Sequence, residues 1–306
     1  MGVKDFMPFV RDNAKATNTS LSQLLVESPS KTWIGIDMSI IIMSAIKGSP
    51  KIIDQMFSLP NCPIDDFNDK VCSVLETFVK EGFFILCCFD GFPGPLKQNG
   101  AHLHRYGDNN AKRKRLHELY KMQMFSCMDE EEAVIMEAKK LRKELASFNR
   151  PDLLYELKMA IKSHFAENSI SIGSFSEADH QLGSLFHQGI IDYVYSNDSD
   201  LILLGVDLIT NVNTSGTCWF MSFEGFKQRM LTLVRCNNKS IIWSAELLHF
   251  VACFLGNDFL PRNPGNTPSR LPLFVQHITD DDGRLKLSDN DTFWQYMFDT
   301  VLEPIH

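Results

Sequence analysis

Ser176-Glu177-Ala178-Asp179 and, downstream, Asn197-Asp198-Ser199-Asp200-Leu201-Ile202-Leu203-Leu204-Gly205 decide how this chain reads. They carry two acid-x-acid pairs, Glu177/Asp179 and Asp198/Asp200, set 21 residues apart. Between the pairs, residues 178–189 have helical apolar spacing (Leu182, Leu185, Phe186) and end on Gly189, a residue suited to a C-cap. The branched and aromatic run Ile190-Ile191-Asp192-Tyr193-Val194-Tyr195 then predicts a strand. Asp198 and Asp200 therefore fall just past the C-terminal end of a strand, where open α/β sheets keep their ligand sites. Carboxylates crowded this way repel one another unless a cation neutralises them, and clustered hard oxygens suit Mg²⁺ or Mn²⁺. Each pair alone also fits a solvated loop and an acid-capped helix. Two pairs bracketing one helix–strand unit favour metal binding.

The same pattern recurs upstream. Residues 33–36 read as a buried strand ending in Asp37, and an apolar stretch to Ile46 follows as a first crossover helix. Residues 67–79 keep helical spacing through Val71, Val74, Leu75, Phe78 and Val79. Phe83 to Phe89 is continuously apolar and ends at Asp90, as a parallel strand covered on both faces should be. Three strands separated by helical segments thus each deliver an aspartate at or beyond the C-terminal end: Asp37, Asp90 and Asp198. The expected fold class is α/β, a mainly parallel sheet flanked by helices. Residues 1–16 have the spacing of a short helix, and the Ser-, Thr- and Asn-rich residues 17–30 read as a loop. Further on, 208–220 predict one or two strands and 244–255 an apolar helix. Residues 261–268 read as a loop, 271–278 as an apolar segment, 280–291 as a polar connection and 293–305 as a closing helix.

Composition bounds the rest. The chain has 306 residues, 44% hydrophobic and 22% charged, which is ordinary for a globular protein able to bury a large core. There is no apolar run of membrane-spanning length and no cleavable signal peptide. Eight cysteines stand at 62, 72, 87, 88, 127, 218, 236 and 253 without CxxC spacing. That usage predicts a reducing interior, nucleus or cytoplasm. A net charge of −8 argues against general coating of nucleic acid but leaves room for a local basic grip. Residues 97–121 offer one: Lys97, Arg105, Lys112, Arg113, Lys114, Arg115 and Lys121 stand against Asp108 and Glu118. Residues 129–145 then alternate acidic and basic blocks, as solvated helices do. The basic insertion reads either as one face of a charged helical hairpin or, following a candidate metal ligand in an acidic protein, as a phosphate-facing surface.

Taken in order, Met1-Gly2-Val3, Asp37, Phe89-Asp90-Gly91-x-Pro93-x-x-Leu96-Lys97, Ser176-Glu177-Ala178-Asp179, Asp198-Ser199-Asp200 and Gly256-Asn257-Asp258 resemble the 5′-nuclease superfamily. That group includes flap endonucleases, XPG-type repair nucleases and Xrn-type exoribonucleases. The resemblance spans roughly residues 1–278 and implies a PIN-like fold with two or more Mg²⁺ or Mn²⁺ ions. It implies that Asp37, Asp90, Glu177 and Asp179 ligate one metal and Asp198, Asp200 and Asp258 the other. Lys97 would steer the scissile phosphate, Gly2 would lie against the substrate, and residues 97–165 would form a helical arch. The implied layout is a single nuclease domain over 1–306: an N-terminal segment over 1–96, the arch, an internal segment over 166–278 and a closing segment over 279–306. The stretch Gly265-Asn266-Thr267-Pro268-Ser269-Arg270 takes the place of a duplex-gripping Gly-x-Gly turn, with Thr267 in place of the second glycine.

Other departures make the resemblance that of a compact, divergent member, viral in style. The family's stacking aromatic after the first aspartate is replaced by Ile40, Ile41, Ile42 and Met43, and no sliding-clamp peptide is present. The expected activity is metal-dependent hydrolysis of branched or 5′-ended nucleic acid, with DNA favoured by residues 89–97 and RNA by Gly256 to Pro261. An RNA-degrading nuclease and a non-cutting nucleic-acid-binding protein are the alternatives; the occupancy of all seven acidic positions weighs against the second.

Overall fold

The computed structural model describes residues 17–26, 31–47, 49, 52, 65–91, 111–112, 114–121, 131–145, 151–198, 200–233, 241–255 and 270–286. In chain order these form β1 (Thr17–Ser20), α1 (Leu21–Val26), β2 (Trp33–Asp37), α2 (Met38–Lys47), α3 (Asp65–Lys80) and β3 (Phe84–Phe89). Then come α4 (Glu131–Leu145), α5 (Pro151–Phe165), β4 (Ser169–Gly173), α6 (Ala178–His187), β5 (Tyr193–Tyr195) and α7 (Asp200–Leu203). The series closes with β6 (Leu208–Thr210), β7 (Thr217–Met221), α8 (Phe223–Leu233), α9 (Ala245–Leu255) and α10 (Leu271–Ile278). Two compact units result, one within Ser28–Ala178 and one built from Met1–Glu27 and Asp179–His306. The expected helices within 1–16 and 293–305 and the expected loop at 261–268 lie outside the described residues.

In the Ser28–Ala178 unit, β3 runs parallel to β2 on one side and to β4 on the other. The register sets Asp37 beside Cys88 and Phe89 beside Gly173, so all three strands end at the same edge. Ile34, Ile36, Ile85, Leu86, Cys87 and Cys88 are buried, which the continuous apolar runs require of strands covered on both faces. Helix α3 buries Phe67, Val71, Leu75 and Phe78, spaced four, four and three residues apart along one stripe. Each such side chain contributes about 1.5–3 kcal/mol by leaving water. Asp65 and Asp66 in its first turn and Lys80 in its last complement the helix dipole.

The second unit holds a mixed arrangement. Strand β5 pairs parallel with β6, β6 antiparallel with β7, and β7 antiparallel with β1. The expected loop over 17–30 is therefore corrected: Thr17↔Phe220 to Ser20↔Thr217 form a ladder, and Leu21 begins a helix. Apolar pattern could not reveal β1, because an edge strand can be polar on both faces while its backbone still pairs. The strand expected over 190–195 is shortened to Tyr193–Tyr195. Its first residue is consumed by the cap of α6: Ile190 N–H donates to the Leu185 carbonyl and Gly189, at φ +68°, donates to Phe186. That is a Schellman ending, with Gly189 where the sequence places it. Among the described residues, no helix is long and apolar enough to cross a membrane.

The basic insertion is helical over 111–112 and 114–121. Leu116 and Leu119 pack with Ala138 of α4, flanked by Tyr120, Val134 and Leu141, as a small separate core.

Burial pushes the thiols of Cys72, Cys218 and Cys253 up to about 11 from an ordinary 9.0, with Asp69 and Glu76 adding to the effect at Cys72. Roughly one in a thousand such groups is thiolate at pH 8. All three are expected to resist iodoacetamide at pH 8 in the folded chain and to be labelled in urea, read by peptide mass spectrometry; equal labelling in both states would contradict their burial. Because the folded values are raised, these groups contribute stability that is complete below pH 9.0 and is lost as pH climbs through about 11. Thermal midpoints should fall across that window.

Candidate active site

Three of the expected acids follow the ends of adjacent parallel strands in the Ser28–Ala178 unit. Asp37 is the last residue of β2, Asp90 follows β3, and Glu177 lies in the turn after β4. Asp37 is 6% exposed, Glu177 half-buried and Asp90 open to solvent. A chain of hydrogen bonds ties Asp37 and Asp90 to the backbone. Ser39 N–H donates to Asp37 Oδ1 at 3.0 Å, and the Ser39 hydroxyl donates to Asp90 Oδ2. Ala178 N–H donates to Asp90 Oδ1 at 2.9 Å. Ser39 thus clips two carboxylates together, and Asp90 caps the first residue of α6 from a distant point in the chain. Sequence reading missed Ser39, because a contact across 51 residues leaves no local signal.

Two turns interlock beneath these acids. Ser174 N–H donates to Phe89 O at 2.8 Å and Gly91 N–H to Ser176 O at 2.6 Å. The Ser174 hydroxyl donates to Glu177 O at 2.8 Å and accepts from Ser176 N–H at 3.2 Å. A Cβ on Gly91 would overlap the Ser174 carbonyl oxygen and lie 2.9 Å from the Phe175 carbonyl carbon and oxygen. Position 91 is glycine for close approach. On α5, the Lys158 ammonium sits 4.7 Å from the Phe89 ring centroid, at the same end of the strands. A Cβ on Gly173 would meet that ammonium at 3.8 Å.

In the other unit, Asp179 stands in the first turn of α6. Asp198 follows β5, with its N–H donating to the Ser196 hydroxyl at 3.0 Å. Asp198 Oδ1 accepts the Asp200 N–H at 3.1 Å and so starts α7. Leu201 and Ile202 anchor that helix in the core, and Gly205, at φ +75°, ends it. The Asp200 to Gly205 motif is therefore a capped single turn that fixes Asp198 and Asp200. Asp258 lies outside the described residues, as do Gly2, Lys97, Arg105 and Arg113. Arg270 is exposed beside the start of α10. Lys114 is exposed, whereas Arg115 is engaged: its guanidinium donates to both Glu137 oxygens at 2.9 and 3.0 Å and lies 3.7 Å from Glu118. That bidentate bond holds the Glu137 carboxyl below its ordinary value.

As donors, the acids offer the hard oxygens that Mg²⁺ and Mn²⁺ prefer. Among the described residues, no three His, Cys, Asp or Glu side chains form a group able to share an ion. The donor chemistry fits the cation, and any ion assignment rests on it.

No family model matches the chain, and no curated protein matches its sequence. Solved structures do match. The catalytic core of Rad2 in complex with DNA substrate aligns with TM-score 0.57 and 16% identity, over 90% of this chain and 68% of that one. Human GEN1 in complex with Holliday junction DNA aligns with TM-score 0.54 and 14% identity, over 96% of this chain and 57% of that one. Flap endonuclease-1 from Methanococcus jannaschii aligns with TM-score 0.51 and 15% identity, over 85% and 74%. The chain shares the fold of these solved structures, a PIN-like α/β architecture, as expected from the sequence.

Gly91→Ala is expected to force the two turns apart, costing on the order of 1–3 kcal/mol as overpacking does. Calorimetry should show a lower thermal midpoint, and amide exchange at Ala178 should accelerate as the Asp90 cap loosens. An unchanged midpoint would mean the turns are not locked together.

Proposed function

We propose that this chain is a divalent-metal-dependent nuclease that hydrolyses phosphodiester bonds in branched or 5′-ended DNA. One observation carries the reading: Asp37, Asp90 and Glu177 stand at or just past the ends of three neighbouring parallel strands, and hydrogen bonds hold the Asp37 and Asp90 carboxylates in fixed positions. Structure alone has little use for like charges gathered at a strand edge. Support for DNA comes from the fold neighbours solved with it, Rad2 with DNA substrate and GEN1 with Holliday junction DNA.

In this reading Asp37, Asp90, Glu177 and Asp179 would supply ligands to one ion and Asp198, Asp200 and Asp258 to the other, their side chains drawing together only once the cation neutralises them. Bound Mg²⁺ or Mn²⁺ supplies the Lewis acidity and charge neutralisation that attack on an anionic phosphate requires. The chain's own residues position rather than attack. Ser39 keeps Asp37 and Asp90 in register, and the Ala178 N–H fixes the orientation of the Asp90 carboxylate. Asp198 is oriented by the Asp200 N–H. Lys97 and Gly2 meet the substrate, while Arg105, Lys112, Arg113, Lys114 and Arg270 supply phosphate contacts. Products carry a 5′ phosphate. The protein acts inside the cell.

Asp198→Asn tests the assignment cleanly, because the amide oxygen can still accept the Asp200 N–H and the fold is kept. Cleavage of a labelled 5′-flap DNA should fall by at least about a hundredfold with an unchanged melting curve. EDTA should stop the wild-type reaction and Mg²⁺ or Mn²⁺ restore it. Full activity in the variant or in EDTA would remove the metal assignment, and preferential loss of matched RNA strands would move the substrate to RNA.

Charge contacts separate in a second test. Lys114→Ala should weaken binding and lower the salt slope by about one counterion. Arg115→Ala should leave the slope nearly unchanged and instead lower the thermal midpoint, since its guanidinium is committed to Glu137. Equal slopes for the wild type and Lys114→Ala would turn this helix away from nucleic acid.

A further inference from the structure

Phe175 is 93% exposed, the highest value of any large apolar side chain among the described residues; Tyr155 comes next at 67%. Isolated surface apolar groups are common and need no explanation. Phe175 differs in how it is held. Both neighbours are pinned, Ser174 to Phe89 and Glu177, Ser176 to Gly91 and Ser174, so the ring is presented on a fixed turn. Its own carbonyl packs against Gly91. The ring therefore stands two residues from Glu177, on a turn locked to the residue after Asp90.

We propose that Phe175 is a stacking platform for a nucleobase of the bound strand, a role that rests on the nuclease reading given above. The surroundings favour a base over a protein partner. Its sequence neighbours Ser174 and Ser176 are polar, and the turn that carries it packs against Gly91, next to Asp90, so among the described residues the ring is a single apolar face in polar surroundings rather than part of an apolar stretch. A single aromatic face suits a flat base, and stacking supplies affinity that carboxylates nearby do not cancel. It also supplies affinity without sequence preference, since every base has a π-face. The Lys158 ammonium, over Phe89 at the same strand end, gives a cation for a flanking phosphate.

The test compares two probes of equal charge, a 12-nucleotide thymidylate strand and a 12-unit abasic deoxyribose-phosphate strand. Binding is measured in EDTA by fluorescence anisotropy for the wild type, Phe175→Ala, Phe175→Leu and Phe175→Trp. Phe175→Ala and Phe175→Leu should bind thymidylate about tenfold more weakly, as loss of one stacked base predicts, and the abasic strand as the wild type does. Phe175→Trp should bind thymidylate at least as tightly as the wild type. Melting curves should be unchanged, because the side chain is in water. Equal weakening on both strands, or none on either, would overturn the stacking role. Cleavage of flap DNA is followed in parallel with Mg²⁺. A wild type that cuts nothing but shows the base-dependent difference would sink the nuclease reading alone, because the anisotropy arm needs no catalysis.

Discussion

The absence of a Cβ at position 91 is the constraint on which the acid-bearing edge depends. Parallel strands β3 and β4 must each turn away at the same rung, and their turns occupy the same space unless one backbone can enter the other's contact shell. Glycine allows that entry, and the approach brings Gly91 N–H to Ser176 O at 2.6 Å. Once the turns interlock, Ala178 N–H falls within reach of Asp90 and the start of α6 is capped by a carboxylate 88 residues away. The cap satisfies a helix donor that would otherwise lack an intrahelical partner, and places negative charge at the positive end of the dipole. The residues that crowd negative charge are thus also the ones that secure the local fold.

This double use explains how carboxylates are accommodated at this edge. Asp37 and Asp90 each accept from Ser39, and Asp90 accepts again from the backbone. Hydrogen bonds from the protein replace part of the water these carboxylates give up when they are partly buried. Asp198 follows the same logic in the other unit, where its oxygen accepts the Asp200 N–H and starts a single helical turn. At Asp37, Asp90 and Asp198, a carboxylate that starts or caps a helix keeps a lone pair for another task.

The sequence made the apolar framework legible because its signals are local. The run from Phe83 to Phe89, the spacing along α3 and the glycines at 189 and 205 each follow from chemistry within a few residues. What escaped was nonlocal or polar. Strand β1 has no apolar face, so only its partner β7 reveals it. Ile190 looks like a strand residue but uses its N–H to close α6. The acids were legible by their recurrence after strands, whereas Ser39, Lys158 and Phe175 were not. A serine next to an aspartate, a lysine within a helix and an exposed aromatic have no pattern of their own. Their significance comes from the register of β2, β3 and β4.

Under the proposed function a chain of net charge −8 must hold a polyanion, and its charge distribution bears on how. Counting basic residues overstates the grip, because Arg115, central to the basic stretch, is committed to Glu137 and sits beside Glu118. Some of that stretch's charge stabilises a hairpin with its own small core at Leu116, Leu119 and Ala138. The attraction available to phosphates is correspondingly smaller, and more of the binding must come from elsewhere. In the proposed reading, cations held by the acids would convert the most repulsive surface into an attractive one, and a fixed aromatic beside them would add affinity that salt does not screen. If the proposed function holds, an acidic chain built this way would bind weakly to arbitrary phosphate backbone and tightly only where metal, backbone and base are engaged together.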